Sequence, residues 1–141
     1  MSQPPVTLER LRTSVSGGFF GQVLKGEVVS CSDGVCEVQV PVGPHIQQYA
    51  GFVFGGIVGF IADVAGAWAC ASQTGPNVTS QMNIHFLAPA KGELLLARAR
   101  VVRLGRNLSV AQSEVFVLRH GVEREVALAT VTAAPLEPRP A

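Results

Sequence analysis

Residues 50–71 read AGFVFGGIVGFIADVAGAWACA, a run of 22 in which Asp63 carries the only charge. Its length would suit a membrane span. The abundance of Gly and Ala, the acid at the middle and the absence of flanking Lys or Arg anchors favour the core helix of a soluble protein instead. A helix over roughly 54–73 is predicted, closed by Thr74-Gly75-Pro76. Being apolar almost all round, such a helix must be buried on more than one side. A curved sheet wrapped around it meets that demand.

The flanking sequence supplies the sheet. Upstream, a strand near 22–32 meets the turn signal Asp33-Gly34 and returns over 35–42, where Cys36, Val38, Val40 and Val42 alternate with polar residues. Residues 43–52 read as irregular. Downstream, Val78 to Phe86 alternate, Pro89 to Gly92 form a turn, and a strand follows through Val101. Gly105-Arg106-Asn107 turns the chain into a strand near 108–118, and His120-Gly121 into a last one over 122–133. Before all of these, residues 6–15 fit a short amphipathic helix ended by Gly17-Gly18. Consecutive strands with one long helix inserted point to α+β, an antiparallel sheet wrapped around a long central helix. The expected division is 1–20 as an N-terminal helix and lead-in, 21–134 as the main domain and 135–141 as a flexible tail.

Composition narrows the function classes. The chain has 141 residues, a net charge of +1 and 48% hydrophobic residues, so no basic stripe marks a nucleic-acid binder. So much apolar surface on so small a chain predicts cover from a second subunit. The first residues lack the cationic and apolar regions of a secretory signal, which makes the cytoplasm the expected compartment and a membrane partner unexpected. Cys31, Cys36 and Cys70 are too scattered for a disulfide scaffold or a zinc site; Cys31 and Cys36 should face each other across the hairpin, where a cross-strand disulfide is conceivable but the compartment argument favours reduced thiols. His45, His85 and His120 lack ligand companions at metal spacing, so no metal or cofactor is expected.

Two features could carry chemistry. A carboxylate inside an apolar helix is costly to keep charged unless paired. Asp63 on its own reads equally as a catalytic group or as a structural acid bonded to backbone or water. Its neighbours at helical spacing, Gly55, Gly56, Gly59, Gly66 and Ala67, form a strip without bulk. The second feature is the helix entry Phe54-Gly55-Gly56. Uncovered N–H groups there, with the helix dipole behind them, could polarise a carbonyl oxygen.

Three segments together resemble the PaaI-like branch of the hotdog-fold acyl-CoA thioesterases. Gly51-Phe-Val-Phe-Gly-Gly-Ile-Val-Gly-Phe-Ile-Ala-Asp63 is similar to that family's G-x-x-H-G-G followed by L-A-[DE]. Val78-Thr-Ser-Gln-Met-Asn-Ile-His-Phe-Leu-Ala-Pro89 is similar to T-x-x-[ML]-N-[IV]-x-[FY]-[LM]-x-P, and Arg103-Leu-Gly-Arg106 to V-x-[RK]-x-G-[RK]. In order and spacing these span about 20–134.

The resemblance implies a hotdog fold and hydrolysis of an acyl-CoA thioester to a free acid and coenzyme A. It implies that Asp63 is the catalytic acid, as nucleophile or as general base, and that the Gly55 N–H polarises the thioester carbonyl. Gln48 falls where the family holds substrate or the attacking water, and Thr79 where a hydroxyl assists the acid. The family's sites are shared, so Gln48 and Gly55 of one subunit would meet Asp63 and Thr79 of its partner in a homodimer, with a dimer of dimers also open. Phe54 and Gly56 would shape the pocket, with Arg103, Gly105 and Arg106 at its mouth beside the coenzyme A phosphates. The departure is Phe54, which stands where the family has His and should narrow or dry the pocket. That departure leaves a catalytically weak acyl-CoA binding or sensing module as the alternative, whereas a dehydratase fits poorly without that His. Phe52, Phe54, Phe60 and Trp68 could favour an aromatic or medium-chain acyl group, or could equally be core packing.

Overall fold

The helix predicted over 54–73 runs from Gly55 to Thr74 (α2) in a computed structural model that describes residues 3–138. Around it lie α1 (Leu8–Val15), β1 (Glu27–Ser32), β2 (Val35–Pro41), β3 (Asn77–Phe86), β4 (Leu94–Arg103), β5 (Ser109–Arg119) and β6 (Val122–Pro135). All six strands form one antiparallel sheet in the order β1-β2-β4-β5-β6-β3. The strand that follows α2 therefore pairs with the last strand and forms an edge.

The α2 helix lies across the concave face, where alternate residues of β5 (Ser109, Ala111, Ser113, Val115, Val117) are buried. Small residues dominate that face: Ala97, Ala99, Ala111, Ala127, Ala129 and Ala133 are all buried. They let the helix approach closely. A Cβ on Gly66 would lie 2.7 Å from both Cβ and Cγ2 of Val131 on β6. Gly66, placed by spacing on the open strip beside Asp63, thus serves helix–sheet packing. Gly56 has open space where a Cβ would be.

One predicted strand starts later than expected. Residues 19–23 form a π-helical turn, and β1 begins only at Glu27. The cause is glycine. A Cβ on Gly21 would strike the Val15 carbonyl oxygen at 2.6 Å, and one on Gly26 would strike the Phe20 ring at 2.5 Å. The segment is folded back against the end of α1, with Phe20 edge-on to Trp68 of α2. The N-terminal helix is stitched to the same body: Leu11 is buried, Arg12 donates to the Val28 and Val29 carbonyls, and Val6 N–H donates to Ala71.

The hairpin turns at Asp33-Gly34 as expected, and places Cys31 opposite Cys36. Both are free, buried thiols. The hydrogen bond with Cys31, and then burial, push the Cys36 thiol up, and burial pushes Cys70 up to about 11. Leu136 N–H still bonds the Pro76 carbonyl. Residues 139–141 of the expected tail lie outside the described residues.

Candidate active site

Asp63 sits in the third turn of α2, half-buried rather than enclosed. Thr79, near the start of edge strand β3, donates its hydroxyl to Asp63 Oδ1 at 2.6 Å. Register explains the meeting. The turn after Thr74 sends β3 back antiparallel to the helix, and a bulge between Thr79 and Gln81 breaks its pairing with β6 at that point. Among the described residues Oδ2 accepts no hydrogen bond. The pair opens onto a depression of about 430 Å³ lined also by Trp68, Ala67, Asn77 and three α1 residues, Arg10, Leu11 and Ser14. An acid that keeps one oxygen free and open to solvent can take a proton or attack an electrophile.

Gly55 is the first residue of α2, with Phe54 as an N-cap whose side chain makes no capping bond. The Phe54 carbonyl takes the N–H groups of Ile57 and Val58. Among the described residues neither Gly55 N–H nor Gly56 N–H has an acceptor. Gly55 borders a second cavity of about 440 Å³, with Gln48, Phe52, Val58, Phe86, Ala88 and Pro89 among its walls. Gln48 reaches it from a tight loop. Gln48 N–H bonds Phe52 O, Gly51 N–H bonds Gln48 O, and Gly51 at φ +83° takes the left-handed conformation the turn requires. Oriented N–H donors beside an apolar cavity suit a carbonyl oxygen that gains charge.

The four residues implied by the resemblance therefore form two pairs, Gln48 with Gly55 and Asp63 with Thr79. The two cavities share no lining residue. Gly55 and Asp63 stand eight positions apart on the helix, which is about 12 Å along the axis. Neither cavity of one chain holds both the donor and the acid.

Other expected site residues fall elsewhere. Phe54 is 49% exposed and does not line the Gly55 cavity. Arg103 and Arg106 are exposed at the β4–β5 turn, beside neither cavity. Gly105 is a turn residue: its N–H donates to Ser109 Oγ, and a Cβ would run into the Leu108 carbonyl oxygen. Of the aromatics, Phe60 packs against Phe19 and Trp68 against Phe20, whereas Phe52 lines the Gly55 cavity. Two contributors went unread in the sequence. Phe86 ends β3 57% exposed, with its ring over Gly55 where a Cβ would lie 3.5 Å away. The α1 helix walls the Asp63 depression, and its amphipathic pattern carried no sign of that.

A family model described as thioesterase superfamily matches residues 50–123. No curated protein sequence matches. Among solved structures, a thioesterase family protein from Silicibacter pomeroyi is 31% identical, with 90% of this chain and 96% of that chain covered at a TM-score of 0.85. The phenylacetic acid degradation protein PaaI from Thermus thermophilus is 28% identical, covering 84% and 100%, at 0.74. A Streptococcus mutans protein solved with acetyl-CoA bound is 28% identical, covering 82% and 91%, at 0.71.

Proposed function

The chain belongs to the thioesterase superfamily, on a PaaI-like hotdog fold, and from that footing we propose that it hydrolyses acyl-CoA thioesters at a site completed by two subunits. The observation that carries the reading is the Asp63 carboxylate, held by Thr79 at one oxygen and open at the other. Acetyl-CoA on the S. mutans relative supports the substrate class.

In the proposed reaction the thioester carbonyl oxygen rests on the Gly55 N–H, with Gln48 beside it. Asp63 of the partner subunit takes a proton from water as the water oxygen bonds the carbonyl carbon. The tetrahedral adduct then breaks its C–S bond, and the departing sulfur takes the proton. Alternatively the carboxylate itself attacks the carbonyl carbon and the C–S bond breaks to expel the coenzyme A thiolate, giving a mixed anhydride that water hydrolyses to the free acid and the restored Asp63 carboxylate. Thr79 orients the acid in both routes. A thioester is already a reactive acyl donor, so one acid and one oxyanion donor suffice. Support for a second subunit comes from β3, a sheet edge that exposes Val78 and Phe86 and runs into exposed Leu87.

The second reading, a catalytically weak acyl-CoA binding module, is favoured by Phe54 at the usual His position. Rates on a panel of acyl-CoAs separate the two. Asp63→Ala should lower kcat by about 10²- to 10⁴-fold, the range for loss of a positioned base, while coenzyme A still binds. Equal, slow hydrolysis by native and variant protein would leave only the binding module.

A further inference from the structure

Two side chains of β3 reach across to α2. Asn77 Nδ2 donates to the Ala67 carbonyl at 2.8 Å, and the Thr79 hydroxyl to Asp63 Oδ1 at 2.6 Å. Among the described residues these are the two side-chain hydrogen bonds that join that strand to that helix. The spacings match. Asn77 and Thr79, two apart on β3, share one face of the strand and stand about 6.7 Å from each other along it. Asp63 and Ala67, four apart on α2, share one face of the helix about 6 Å from each other along its axis. Running antiparallel to the helix, the strand sets its two side chains on successive turns of α2.

Thr79 does not find its place unaided. Its hydroxyl stands on a branched Cβ with few rotamers, so its reach follows the position of the backbone. The sheet constrains that backbone from one side only. Within the chain β3 pairs with β6 alone, and the register shifts between Thr79 and Gln81. Asn77 supplies a second hold. Gly75, at φ +84°, reverses the chain after α2, and the Asn77 amide ties the first residue of β3 back to the helix ten residues earlier. A carbonyl oxygen only accepts, so the amide nitrogen must be the atom that faces Ala67. Asn77 is half-buried and forms part of the wall of the Asp63 depression.

We propose that Asn77 is a positioning residue for thioester hydrolysis. Its bond to the Ala67 carbonyl fixes β3 against α2, and so keeps the Thr79 hydroxyl on Asp63 Oδ1 and Oδ2 free to face the thioester. This rests on the thioesterase reading and deepens it. The effect belongs on kcat, because a reacting group misplaced by about 1 Å loses rate by as much as ~10²-fold while substrate binding is retained. The rival role, direct contact between Asn77 and the acyl group, belongs on KM and would vary with the acyl group.

The test is a double-mutant cycle on two acyl-CoAs that differ in the size of the acyl group. Asn77→Ala should lower kcat on the order of tenfold on both esters, with KM nearly unchanged. Thr79→Val keeps the branched shape without the hydroxyl and should lower kcat at least as far. The double variant should match Thr79→Val alone, because Asn77 then has no hydroxyl left to place. Losses that multiply in the double variant, an unchanged kcat in Asn77→Ala, or a KM that rises with one acyl group only would each overturn the assignment. Should Asn77→Ala fold poorly, Asn77→Leu fills the space without a donor and takes its place in the cycle. If native protein hydrolyses neither ester, the thioesterase reading fails separately. The clamp is then read from a crystal structure of Asn77→Leu: a broken Thr79–Asp63 hydrogen bond sustains it, and an intact one overturns it.

Discussion

Gly55 allows a single N–H to be removed with little else disturbed. It occupies the first helical position, where the N–H has no intrahelical acceptor and proline is tolerated. The preceding Phe54 has φ −56° and ψ 136°, the extended conformation that a following proline favours. Gly55→Pro should therefore fold with a native circular dichroism spectrum and melting temperature. Its kcat should fall by about 10²- to 10³-fold, the usual consequence of deleting one oxyanion donor. Unchanged kcat would remove Gly55 from the mechanism. Asp63 was visible from sequence because a charge in an apolar helix is conspicuous on energetic grounds. Its partner Thr79 was not, since a threonine in an alternating strand looks like any other. Only the resemblance singled it out, and the 2.6 Å bond joins the two.

At the scale of the element, α2 decides where everything else lies. Its closeness to the sheet depends on Gly66, whose missing side chain admits Val131. Gly66→Ala should cost about 1–3 kcal/mol, because the β-branched Val131 cannot rotate out of the way without displacing the helix. Denaturant midpoints of native and variant protein would measure the loss; an unchanged midpoint would mean that helix and sheet separate freely. Periodicity located α2 and five of the strands well. The exception is 22–26, read as the start of the first strand, where glycines at 21 and 26 admit close contacts that a strand would not make. That decision depends on what packs against each glycine, a tertiary fact.

For the whole molecule, the separation of the two residue pairs makes complementation the decisive measurement. Mixed Asp63→Ala and Gly55→Pro subunits form heterodimers with one intact site and one doubly damaged site. If the site is shared, random reassortment in a twofold dimer should restore about a quarter of native activity from two nearly inactive proteins. No recovery after verified subunit exchange would place donor and acid in one chain and overturn the shared site.

What the sequence determined by itself was the helix, the strands, the fold class and the conspicuous acid. These follow from local periodicity and from the energetic cost of a charge among apolar residues. Tertiary structure alone decided that Thr79 caps Asp63 and that Gly66 serves packing while Gly55 borders a cavity. It also decided that Asn77 reaches Ala67 while Arg103 and Arg106 stand apart from both cavities. The reason is physical: spacing along a chain fixes which residues share a helix face or strand face. Which faces meet is set by sheet order and register, and here those bring a loop, a strand end and a helix start together from residues far apart in sequence.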